Sequence, residues 1–135
     1  MNILVVEDDF ISRRLLCRYL EKAGRCDVAI NGNEAVAAVH EALDSGAHYV
    51  LICLDIMMPG MGGQDALMAI RRLESEHGLH VGQGARVIMT TALEDHANVR
   101  QAFKASADGY VVKPIEKLKL FNLLNELGLP MSVAG

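Results

Sequence analysis

The chain has 135 residues, of which 51% are hydrophobic and 22% charged, and a formal net charge of -4. A single domain of this length buries a core without metal or disulfide staples, and no apolar run approaches the ~20 residues of a membrane span. The basic residues cluster only in pairs such as Arg13-Arg14 and Arg71-Arg72, which leaves no electrostatic footprint for nucleic acid. The opening "MNILVVEDDF" lacks the basic region and cleavage site of a secretory signal, so a cytoplasmic location is expected. Cys17, Cys26 and Cys53 form no CxxC and read as small buried hydrophobes.

Taken in chain order, short apolar runs alternate with amphipathic stretches. "ILVV" (3–6) ends in Glu7, Asp8 and Asp9, and a helical stripe follows at Ile11, Leu15 and Tyr19, with Leu16 and Leu20 beside it and Gly24 as its stop. "CDVAI" (26–30) ends in the turn signal "NGN" at 31–33 and leads into Ala35, Val39 and Leu43 before Ser45-Gly46. "YVLICL" (49–54) meets Asp55 and is followed by the stripe Leu67, Ile70, Leu73. The long link "ESEHGLHVGQGA" (74–85) precedes "RVIMT" (86–90), a stripe at Val99 and Phe103, and "YVV" (110–112). Last comes Leu118, Phe121 and Leu124, with Leu120 and Leu127.

The runs are rich in Val and Ile and apolar on both parities, as strands covered on both faces should be. Five βα units with short links predict an α/β fold: a doubly wound, five-stranded parallel sheet with right-handed crossovers. The domain is expected over 1–128, with a short tail at 129–135.

In such sheets the functional crevice lies outside the carboxyl ends of the strands. The residues gathered there are Glu7, Asp8 and Asp9, then Asp55, then Thr91 and Ala92, then Lys113 and Pro114. Carboxylates brought together repel unless a cation neutralises them, and oxygen ligands without His or Cys suit Mg²⁺. Such a metal, a carboxylate nucleophile, a hydroxyl and an ammonium together suit phosphoryl transfer onto Asp55.

Taken singly, each residue has a plainer reading. Asp55 ahead of Pro59-Gly60 is a strand end and turn, Asp9 a helix N-terminal acid, and Thr91 a strand-end hydroxyl. Tyr110 is a half-buried sheet aromatic and Lys113 a solvated turn residue. Gly60, Gly62 and Gly63 match no phosphate loop and read as loop flexibility. His77 and His80, near Glu74 and Glu76, read as solvated loop residues, and His40, His48 and His96 as scattered singles.

The motifs "VVED" (5–8), "LDIMMPGMGG" (54–63), "TTA" (90–92) and "GYVVKP" (109–114) resemble, in order and spacing, those of response-regulator receiver domains. The resemblance implies a flavodoxin-like fold with strand order 2-1-3-4-5, an order shared by flavodoxins and chemotaxis regulators. It implies Asp55 as phosphoacceptor and an Mg²⁺ site of Asp8, Asp55, the Met57 backbone carbonyl and, mainly through water, Glu7. Thr91 and Lys113 would hold phosphoryl oxygens and Tyr110 would reposition on activation, with a cis Lys113-Pro114 peptide. The donor would be a histidine kinase or histidine phosphotransfer protein. The output would be a downstream protein or a second copy bound through the fourth helix, fifth strand and fifth helix.

Such a domain assists its own phosphorylation and dephosphorylation without being a turnover enzyme. Apolar Met57 and Leu93 beside the path of the hydrolytic water imply slow loss of phosphate. Two rivals fit less well. An Mg²⁺-dependent aspartyl-phosphate phosphatase of the haloacid-dehalogenase type needs a second Asp where Met57 stands, and an FMN-binding flavodoxin-like protein needs a phosphate loop where Glu7, Asp8 and Asp9 would repel the ligand.

Overall fold

Alternating apolar runs and helical stripes become alternating strands and helices in a computed structural model that describes residues 1–80, 82–92 and 106–129. The order is β1 (Asn2–Val6), α1 (Phe10–Leu20), β2 (Arg25–Ala29), α2 (Gly32–Ser45), β3 (Leu51–Asp55), α3 (Gly63–Glu76), β4 (Arg86–Thr91), β5 (Gly109–Val112) and a C-terminal helix (Lys117–Glu126). All strand pairs are parallel, in the order β2-β1-β3-β4-β5. The predicted stripe at Val99 and Phe103, Leu93 beside the water path, and residues 130–135 of the expected tail lie outside the described residues.

Strand residues of opposite parity enter different cores, which is why the runs lack polar positions. Leu4, Val6, Ile52, Leu54, Val87 and Met89 pack with α2 and α3. Ile3, Val5, Leu51, Cys53 and Ile88 pack on the other face with α1 and the C-terminal helix. Burial pushes the Cys53 thiol up to about 12, and Cys26 to about 11, so both stay protonated at neutral pH.

Four expectations shift. The inward face of α1 is Leu16 and Leu20, while Ile11 is 75% exposed, and Leu118 likewise points outward. β2 pairs only with β1, so as an edge strand it leaves Val28 exposed, and Ile30 just beyond its end is exposed as well. Gly24 does not stop α1, which ends at Leu20; it lets the Met1 backbone pass, because a Cβ there would lie 1.9 Å from the Met1 carbonyl oxygen. The "NGN" turn is a helix start: the Asn31 side chain accepts the Glu34 N–H at 2.8 Å, and Glu34 Oε1 accepts the Ile30 N–H at 3.0 Å.

Gly63, at the start of α3, is needed for close approach rather than flexibility. A Cβ there would meet the Asp55 carbonyl oxygen at 2.5 Å and Ile56 Cα at 2.8 Å, both backbone atoms that cannot swing aside. Gly60 is the conformational glycine of this loop, at φ +75. Gly63→Ala therefore overpacks the β3–α3 junction, at a cost of ~1–3 kcal/mol that a helix-propensity gain of at most ~1 kcal/mol offsets only in part. Urea unfolding should give a lower midpoint; an unchanged one would show that α3 does not press on the Asp55 backbone.

Candidate functional site

Parallel register carries the strand ends to one rim. Glu7 follows β1, Asp55 closes β3, Thr91 closes β4 and Lys113 follows β5. Glu7, Asp8 and Asp55 each offer a carboxylate oxygen, all within 4.8 Å of one another. Glu7 is fully buried and Asp55 is 3% exposed, whereas Asp8 faces solvent.

Lys113 Nζ lies 2.6 Å from Glu7 Oε1 and 3.3 Å from Asp55 Oδ2. The shorter contact is a close ion pair outside hydrogen-bond angles, so Glu7 Oε1 has no directed donor among the described residues. Backbone contacts fix Glu7 otherwise: its Oε2 accepts the Asp9 N–H at 3.2 Å, its N–H donates to Ala29 at 3.0 Å, and its carbonyl accepts Arg13 Nη1 at 3.0 Å. Asp55 Oδ1 accepts the Met57 N–H at 3.2 Å, and the Met57 side chain is 70% exposed.

Burial, and then the hydrogen bond and charge of Asp55, push the Glu7 carboxyl above its ordinary range against the pull of Lys113. Burial disfavours the charged Lys113, but Glu7 and Asp55 outweigh it and its pKa is raised. One ammonium facing three carboxylates leaves the rim short of positive charge. Three carboxylates against one ammonium, in an all-oxygen donor set, fit a hard divalent cation such as Mg²⁺.

The other expected residues lie around this cluster. Thr91 is 2% exposed; its hydroxyl donates to the Ala92 carbonyl at 3.2 Å and its own carbonyl accepts the Lys113 N–H at 2.8 Å. Tyr110 is half-buried on β5, against the core layer of α2 and α3. The Lys113-Pro114 peptide is cis. Asp9 is the α1 N-cap, its carboxylate accepting the Ser12 N–H at 2.8 Å, and that bond holds its pKa low.

Thr90, the last residue of the "RVIMT" run, pairs in register with Asp55 and buries a hydroxyl that lacks a hydrogen-bond partner among the described residues. The histidine expectations change as well: His77 caps α3, and it and His40 both face Asp44. A cleft of about 420 Å³ lies at the opposite end of the sheet, walled in part by Arg71, Glu74 and Asp108. Arg71 is committed there to Glu74, Asp108 and the Ala85 and Ser106 carbonyls, which makes that end a structural staple.

The family pattern described as the response regulator receiver domain matches residues 3–125. The chain belongs to the response-regulator receiver family. Among relatives of this receiver, the transcriptional regulatory protein ResD of Bacillus subtilis is 42% identical over 84% of the chain, which spans only 42% of ResD. The chemotaxis protein CheY of Halobacterium salinarum is 31% identical over 93% of the chain and 95% of CheY.

Two solved structures are also similar to the receiver. The receiver domain of the Arabidopsis thaliana histidine kinase CKI1, complexed with Mg²⁺ and BeF3⁻, has a TM-score of 0.75 at 27% identity, covering 94% of this chain and 89% of that one. The receiver domain of Saccharomyces cerevisiae Ssk1, co-crystallised with the histidine phosphotransfer protein Ypd1, belongs to a match with a TM-score of 0.77 at 28% identity, covering 95% and 88%.

Lys113→Met leaves Glu7 and Asp55 facing each other without a counter-charge. Stability should fall by somewhat less than the ~3–5 kcal/mol of a fully buried broken pair, because the Lys113 side chain keeps 28% exposure. Urea unfolding with and without Mg²⁺ measures the loss, which should shrink when the cation is present. A variant as stable as the parent contradicts the ion-pair account.

Proposed function

We propose that this phosphorelay receiver accepts a phosphoryl group on Asp55 from the phosphohistidine of a histidine kinase or histidine phosphotransfer protein, and thereby switches a protein contact. The observation that carries this reading is the packing of three carboxylate oxygens within 4.8 Å at the carboxyl edge of a parallel sheet, with Lys113 as the neighbouring ammonium.

An Asp55 carboxylate oxygen forms the new P–O bond while the donor's P–N bond breaks, and the electron pair stays on the imidazole nitrogen. Lys113 draws Asp55 into place and is positioned to hold a phosphoryl oxygen in exchange for its carboxylate contacts. The Thr91 hydroxyl, engaged only with the adjacent Ala92 carbonyl among the described residues, turns toward a second oxygen, and Tyr110 repacks in response. Asp8, Asp55 and the Met57 carbonyl would hold Mg²⁺ directly, and Glu7 would act mainly through water. A cation held there would supply positive charge to offset that of the carboxylate and phosphoryl oxygens.

Phe10, Ile11 and Met57 are 59%, 75% and 70% exposed beside this rim, an apolar skin suited to a protein donor. The Ssk1 receiver bound to Ypd1 supports a phosphotransfer protein as that donor. Output through the surface of β5 and the C-terminal helix, to a target or a second copy, follows from Lys113 and Tyr110 both lying on or next to β5. The predicted fourth helix of that surface lies outside the described residues. Among those residues no helix is long and apolar enough to cross a membrane, and the proposed setting is the cytoplasm. The phosphatase alternative finds no second acid, since the exposed Met57 occupies its place.

Asp55→Asn keeps the shape of the side chain but not its nucleophile. With a small phosphodonor and Mg²⁺, intact-mass spectrometry should show no added phosphoryl group on the variant; equal labelling of parent and variant refutes the assignment. Asp8→Asn should weaken Mg²⁺ binding in a metal titration while the metal-free fold persists, because carboxylate repulsion is relieved. Undiminished affinity in that titration removes Asp8 from the ligand set.

A further inference from the structure

Away from the rim, α2 and the end of α3 bring two imidazoles to one carboxylate. His40 and Asp44 are one helical turn apart on α2, and His77 is the residue that caps α3. His77 Nε2 lies 2.8 Å from Asp44 Oδ1, and His40 Nε2 lies 3.4 Å from Asp44 Oδ2. The two rings stand edge to face with centroids 6.2 Å apart.

The second nitrogen of His77 decides what the cluster can do. Its Nδ1 lies 2.8 Å from the Leu73 carbonyl, so both ring nitrogens face oxygen acceptors. A neutral ring satisfies one acceptor and sets a lone pair against the other. Only an imidazolium, or a ring with a cation on Nε2, satisfies both. An Nδ1–H held by a backbone carbonyl, with Nε2 aimed outward at a carboxylate, is the arrangement that orients metal-binding histidines.

We propose that His40, Asp44 and His77 form a second metal site, for Zn²⁺ or a similarly borderline ion, with solvent water completing the coordination. Two imidazoles and a carboxylate suit that class of ion, unlike the all-oxygen rim. The His40 and Asp44 side chains are 57% and 58% exposed, so rotamer changes are open to both. Those changes close the set to Zn–N and Zn–O bonds of ~2.0–2.2 Å. A bound ion would clamp α2 to α3 at the end of the sheet away from Asp55.

The titratable groups facing His77 are Asp44 and His40 from α2 and Glu76 from α3. Asp44 raises the His77 pKa, so Zn²⁺ competes with a proton there.

The test is Zn²⁺ titration of the whole chain against a chromophoric chelator, with Mg²⁺ in excess at the rim and the histidine rings followed by ¹⁵N NMR. Zn²⁺ should shift the ring nitrogens of His40 and His77 and leave those of His48 and His80 in place. H40Q and D44N should each weaken binding at least ~10-fold, the low end of what even an outer-shell partner costs. Both substitutions are on an exposed helix face, and circular dichroism checks that the variants fold. Absence of Zn²⁺ binding, or equal affinity in parent and H40Q, overturns the site. So does loss of binding in Asp8→Asn with H40Q and D44N unaffected, since Zn²⁺ would then be on the acidic rim.

Discussion

One ammonium group, Lys113 Nζ, lies between the carboxylates of Glu7 and Asp55, and through it the ends of β1, β3 and β5 meet at a point. A fully buried glutamate is costly unless a counter-charge lies against it, so the folded state depends on this contact. The same contact leaves negative charge in excess. The rim therefore carries an imbalance that a cation would relieve, and under the proposed function a phosphoryl group would offer Lys113 new oxygens.

Much of this was legible in the sequence because of how a parallel sheet is covered. Helices on both faces demand apolar residues at every strand position, so "ILVV" and "LICL" stand out as unbroken runs. Strand direction then dictates that whatever follows each run meets at one edge, and Glu7, Asp8, Asp55, Thr91 and Lys113 do surround it. What stayed hidden depended on partners distant in the chain. Ile11-Leu15-Tyr19 and Leu16-Leu20 are overlapping stripes, and only the sheet beneath α1 selects the second. Gly63 is required by its distance to the Asp55 backbone, which leaves no trace in composition or periodicity.

Glu74 belongs to the same class. In sequence it is an acid opening a polar loop, yet it is 5% exposed because Arg71 and the Ala85 N–H receive its two oxygens. His40 read as a scattered single and His77 as a solvated loop residue because β3 and α3 separate them in the chain. The spacing of His40 and Asp44, one turn apart, was the signal available. The two ends of the sheet also differ in kind. At the strand amino ends Arg71 is matched by acceptors and holds β4 to the start of β5, while the carboxyl ends keep an unmatched acid set. Under the proposed switching role, a fixed amino end would confine any change of shape to the carboxyl end.

The edge strand β2 carries a further consequence. With β1 on one side only, it presents a row of backbone groups that another extended chain could pair with, and Val28 and Ile30 make that border partly apolar. Arg25 and Asp27, joined at 3.3 Å, place opposite charges along the same strand. Charged side chains on a border strand discourage ribbon-like growth of a sheet from molecule to molecule. Arg25 and Asp27 thus place on β2 the kind of charge that works against templated growth along an open edge.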